Sequence, residues 1–150
     1  MSTLTARIQA DLISAMKSGD KFRVATLRGL SSDLKYRRID TGADLSDADA
    51  EAVLRQAAKR RREAMESYSG GGRQDLYDSE AAELEIIAAY LPPELSEADV
   101  DTFIQEAMKE VDASEMKDLG KVMSALMPKL QGRADGKRVS ARVKSLLQQA

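Results

Sequence analysis

Tyr90-Leu91-Pro92-Pro93-Glu94-Leu95-Ser96 is the stretch that decides how this chain is built. Proline has no N–H to donate and disfavours helix in the residue before it, so two in succession stop any helix arriving from the N-terminal side. Ser96, with Asp99 at its third position, then starts another. The domain boundary is placed here, giving an N-terminal helical domain at residues 1–91 and a C-terminal one at 92–150.

Downstream, Val100, Phe103, Ile104, Ala107, Met108 and Val111 recur at helical spacing. Met116, Leu119, Met123, Leu126, Met127 and Leu130 give a further helix. Pro128 falls inside it and predicts a stop or kink near Met127. Gly132 to Gly136 form a turn, and Asp135 caps a last helix carrying Val139, Val143, Leu146 and Leu147.

Upstream, Tyr77, Ala81, Leu84, Ala88 and Leu91 line one helix. Ser69-Gly70-Gly71-Gly72 ends the one before it, because three glycines lose too much backbone entropy to stay helical. That long helix carries Val53, Leu54, Ala57, Met65 and Tyr68 and opens at Ser46, with Asp49 in a capping-box position. Before the polar loop at residues 40–44, Val24, Leu27, Leu30 and Leu34 mark a helix capped by Asp20. Leu4, Ile8, Leu12, Ala15 and Met16 mark the first. No segment alternates apolar and polar residues long enough for a strand. The expected class is all-α: a four-helix N-terminal segment, a proline hinge and a three-helix C-terminal domain.

Composition narrows the chemistry. The 150 residues include no cysteine and no histidine. Disulfides and thiolate metal sites are excluded, and so are the usual general base and the usual zinc ligand. The N-terminus is amphipathic, without the continuous apolar stretch of a signal peptide or membrane span. The expected setting is the cytoplasm, with no membrane partner. The net charge is only −2, but it is unevenly spread. Residues 74–101 hold nine acidic side chains and no Lys or Arg, whereas residues 129–144 hold six basic ones against Asp135 alone. Such polarity suits an anionic partner for the basic end.

Several motifs fall in a recognisable order. They are Asp11-Leu12 with Ala15-Met16-Lys17, Thr26-Leu27-Arg28, the 90–96 stretch, and the run from Gly120-Lys121-Val122-Met123 through Pro128-Lys129-Leu130-Gln131-Gly132-Arg133-Ala134-Asp135-Gly136-Lys137. Together they resemble the YqeY-like proteins of the GatB/YqeY family along nearly the whole chain. The C-terminal part is similar to the tail domain of the B subunit of the glutamine-dependent aminoacyl-tRNA amidotransferase. The resemblance implies an all-helical fold and a link to tRNA, which that tail contacts. It does not carry over carbon–nitrogen ligase activity with glutamine as amide donor. In the relative that chemistry lies in a separate cradle domain and another subunit, and this chain is too short to hold either. The expected function is a tRNA-associated binding module with no catalytic site, cofactor or metal of its own. The alternative is a helical adaptor that docks a translation-related enzyme such as the amidotransferase or an aminoacyl-tRNA synthetase.

The candidate tRNA-binding residues are Lys121, Lys129, Arg133, Lys137, Arg138, Arg142 and Lys144. Lys and Arg neutralise phosphates, and a turn leading into a helix offers backbone N–H groups to an anion. The plainer reading is a solvated charged face. No aromatic lies among them to stack on a base. The Gly132–Lys137 run is no nucleotide loop: three residues separate its glycines where four are needed, and Arg138 stands where Ser or Thr should. Lys59-Arg60-Arg61-Arg62 reads as a salt-bridged outer face, with Glu63 and Glu66 pairing with Lys59 and Arg62 at a spacing of four, and a second anion site as the alternative. Asp11 and Arg28 read as an inter-helix ion pair. Glu80, Glu83 and Glu85 read as solvated surface, and Met108, Met116, Met123 and Met127 as core.

Overall fold

The computed structural model describes residues 2–149 and, among them, shows seven α-helices and no strand. The fold is all-α. The chain divides into two compact units between Pro92 and Pro93. Among the described residues no helix is long and apolar enough to cross a membrane.

The N-terminal unit contains α1 (Thr3–Ser18), α2 (Lys21–Thr41), α3 (Asp47–Gly70) and α4 (Gln74–Ala88). The first three begin on side-chain caps. Ser2 Oγ accepts from the Thr5 N–H at 3.0 Å, Asp20 Oδ1 from Arg23 at 3.1 Å and Ser46 Oγ from Asp49 at 3.1 Å. Each satisfies a donor that the first helical turn leaves open. Gly19 and Gly42 end α1 and α2 at φ of 75° and 69°, a left-handed turn that a Cβ would strain. Ile8, Leu27, Leu30, Leu54 and Ile87 are fully enclosed and fill the core. Met16, expected on the core face, is exposed. The buried stripe of α1 ends on Ala15 instead.

Asp11, Arg60 and Arg61 find partners on other helices or loops that nothing local in the sequence marks. Asp11 does not pair with Arg28: its Oδ2 accepts from the hydroxyl of Tyr90, and Arg28 is exposed. The Arg7 guanidinium lies 4.8 Å from the centroid of the Tyr90 ring. Within the basic run, Arg60 bonds Asp33 on α2 at 2.9 Å and Arg61 bonds Glu83 on α4 at 3.3 Å. These arginines tie α3 to its neighbours rather than to its own surface. Part of the acidic segment is therefore packed rather than solvated. Burial, and then the neighbouring Glu83, push the Glu80 carboxyl above its usual range.

The C-terminal unit contains α5 (Glu97–Glu110), a short 3-10 turn (Met116–Asp118), α6 (Leu119–Leu130) and α7 (Gly136–Gln149). Ser96 Oγ accepts from the Asp99 N–H at 3.1 Å to start α5. Helix α6 packs against both α5 and α7, burying Ile104, Val122, Leu126, Leu130, Val139 and Val143. The expected break near Met127 does not occur, since α6 runs through Pro128 to Leu130. Pro128 sits in the last turn, where its missing N–H forfeits a single bond and Leu130 is still needed in the core. The end comes at Gln131 and Gly132, both left-handed at φ of 51° and 72°. Met108 and Met123 pack against the core, but Met116 and Met127 are exposed.

Candidate functional site

The entries to α5 and α7 are clipped together by backbone. The Leu95 N–H donates to the Arg133 carbonyl at 2.8 Å, and Arg133 Nε donates to the Pro93 carbonyl at 3.0 Å. Arg133 is thus held as a clip beside the second proline. The Asp135 carboxylate accepts from the Lys137 N–H at 3.3 Å, on the first turn of α7.

From this clip α5 and α7 run on with matching charge. Arg138 bonds Glu97 at 3.2 Å. One turn further, Arg142 grips Asp101 with Nε and Nη2 at 2.9 and 3.0 Å. The spacing of four on α7 meets the spacing of four on α5, so the two pairs stack along one seam. Hydrogen bonding from Arg142 holds the Asp101 carboxyl below its usual range, and the carboxylate in turn raises the pKa of the guanidinium. The two pairs differ in strength of hold. Arg142 and Asp101 meet in the planar two-pronged geometry that suits guanidinium and carboxylate. Arg138 and Glu97 touch through one nitrogen, and their side chains are 72% and 90% exposed, so that pair contributes little. Beneath the seam lies a groove of about 590 Å³ with Leu95, Val100, Ala134 and Val139 in its lining.

The remaining candidates divide. Lys129, at the end of α6, bonds Glu110 at the end of α5. Lys121 stands in the first turn of α6 near Asp118. The backbone N–H groups of Ser114 and Glu115, followed by Lys121 and Lys117, hold the Asp118 carboxyl below its usual range. Lys137 and Lys144 are exposed and make no ion pair among the described residues. Their spacing of seven, about two turns, puts them on one side of α7, and α7 holds no acidic residue.

The structure therefore gathers Arg133, Lys137, Arg138, Arg142 and Lys144 along α7 and its entry, and leaves Lys121 and Lys129 on α6. Among the described residues three of the seven cations make an ion pair with a carboxylate, and Lys121 lies near a fourth carboxylate, Asp118. Glu97, Asp101 and Glu110 face the candidate site, and in sequence Glu97 and Asp101 show only as members of the acidic segment at residues 74–101. Their one legible signal was the spacing of four shared by Glu97 and Asp101 with Arg138 and Arg142.

Comparison with known proteins covers nearly the whole chain. The family model described as Yqey-like protein matches residues 5–147. Among curated proteins, one named Altered inheritance of mitochondria protein 41, mitochondrial, from Lachancea thermotolerans, is 33% identical over 112 residues. The match takes in 73% of this chain and 60% of that protein, so the chain spans less than two thirds of its length. The protein of the same name from Pyrenophora tritici-repentis is 24% identical over 144 residues, covering 94% of this chain and 79% of the relative. That from Kluyveromyces lactis is 28% identical over 113 residues, covering 73% and 61%. These relatives are named as mitochondrial, and the cytoplasmic placement expected from composition is corrected accordingly. Two helical units and a family match from residue 5 to residue 147 lead to one identification: the chain belongs to the Yqey-like family.

Proposed function

We propose that this protein is a tRNA-associated binding module whose C-terminal unit meets the RNA backbone through α7. The observation that supports this reading is a helix with four exposed cations and no Asp or Glu of its own, on which Lys137 and Lys144 share one side and make no ion pair among the described residues. Phosphate binds first at these two lysines, which need to release no partner. Arg138 follows by exchanging the loosely held Glu97 for phosphate. Arg142 stays with Asp101, because its two-pronged pair resists the exchange. Recognition of this kind reads the shape of a folded RNA and not its sequence.

Two or three neutralised phosphates give a log–log salt slope of about −2 to −3. The measurement is tRNA affinity of the full chain across a salt series. Lys137→Glu with Lys144→Glu should weaken binding and flatten the slope by about two. Glu97→Gln should act oppositely, tightening binding and steepening the slope by about one, because Arg138 is released. No tRNA retention at low salt, or a slope that the lysine reversals leave unchanged, contradicts the reading.

A further inference from the structure

Helix α2 presents a second charged face, on the other unit, that none of the readings above uses. Lys21, Arg28 and Lys35 recur at intervals of seven residues, so they form one row about 21 Å long on the outward side of the helix. All three are exposed, and none makes an ion pair among the described residues. Among the described residues of α2 no carboxylate falls within the row, and Asp44, beyond the end of the helix, is held by Arg38. Asp20 is engaged as the helix cap, Asp33 is held by Arg60, and Asp40 lies to the side. Beside the row, Tyr36 is 71% exposed and Ile39 is 64% exposed. Tyr36 follows Lys35 in sequence and stands far into solvent at the edge of the row, with Asp33, already held by Arg60, and Asp40 one turn to either side.

We propose that the outward face of α2 binds single-stranded RNA, with Lys21, Arg28 and Lys35 following the phosphates and Tyr36 stacking on an unpaired base. Charge complementarity selects a polyanion, since the row offers only cations. The aromatic selects a partner with exposed π-faces, because bases stack on Tyr regardless of sequence. An anionic lipid surface fits less well. A helix lying in a membrane must bury its apolar face there, and the apolar face of α2, Leu27, Leu30 and Leu34, is already enclosed in the core. The inference does not rest on α7, which lies in the other unit.

The test is fluorescence anisotropy with the full chain and a labelled oligouridine of about a dozen nucleotides. All variants carry Lys137→Glu and Lys144→Glu, so that any binding lost is lost from α2. Tyr36→Ala should weaken binding by about five- to a hundred-fold, and Tyr36→Phe, which keeps the stacking ring, should match the parent. Lys21→Glu, Arg28→Glu and Lys35→Glu together should reduce the salt slope by about two. Unchanged affinity in Tyr36→Ala, or an unchanged slope in the triple variant, overturns the proposal. So does capture of the protein by phosphatidylglycerol vesicles without binding of the oligonucleotide, which would assign the face to lipid.

Discussion

Leu126→Ala should remove most of the stability of the C-terminal unit while leaving the N-terminal unit folded. Leu126 is fully enclosed and packs in a cluster with Ile104, Val122, Leu130, Val139 and Val143. Truncating such a side chain costs about 2–5 kcal/mol, from lost transfer energy and the cavity left behind. A unit of roughly 60 residues holds only about 3–9 kcal/mol in total. The core of the other unit is a separate cluster built on Ile8, Leu27, Leu30, Leu54 and Ile87. Hydrogen exchange should therefore show α5, α6 and α7 losing protection while α1 to α4 keep theirs. Met127→Ala, one residue along but exposed, should change protection little. Equal effects of the two substitutions would contradict the packing described.

The second large effect is expected from Tyr90 at alkaline pH. Its ring is buried, 6% exposed, and its hydroxyl donates to Asp11. Burial, and then the hydrogen bond and charge of Asp11, push its pKa from 10 up to about 12, against the smaller opposing pull of Arg23 and Arg7. A pKa raised in the folded state means that folding holds the proton more tightly than the unfolded chain does. The stabilisation is fully present below pH 10 and is lost as pH rises towards 12. A rise from 10 to about 12 corresponds to about 2–3 kcal/mol. Urea unfolding at stepped pH should show this decline in the parent. Tyr90→Phe should lack this component, although it starts lower at neutral pH because Asp11 loses its donor. Asp11→Ala should cost about 1–3 kcal/mol at neutral pH by leaving a buried hydroxyl without an acceptor. Parallel pH profiles for the parent and Tyr90→Phe would rule out ionisation of Tyr90 as the cause.

What the sequence disclosed follows the range of the forces involved. Caps act within three residues, so Asp20, Ser46 and Ser96 could be read directly, as could the two prolines that stop α4 from continuing. Apolar spacing found the faces of the helices, but not their edges. Met16 and Met127 match the pattern and yet stand in solvent, because a stripe's outer members are buried only where a neighbour reaches them. Pro128 misled because a proline in a final turn gives up little. The tertiary pairings were out of reach. Asp11 and Tyr90 are 79 residues apart, and Arg138 and Glu97 are 41 apart. Nothing local marks such partners. Asp11 and Arg28 occupy motif positions on successive helices, which does not make them partners. For the same reason the basic C-terminal set looked more strongly cationic in sequence than it is in space, where α5 supplies carboxylates to three of its members.

The most direct test of the proposed binding role is NMR titration of the isotope-labelled full chain with unmodified tRNA at low salt. Amide and side-chain signals of α7 between Lys137 and Lys144 should shift progressively and return as salt is added, with Arg138 moving and Arg142 holding its place against Asp101. If those signals stay fixed while tRNA binds elsewhere on the chain, or if no signal moves at all, α7 is not the surface that meets the RNA.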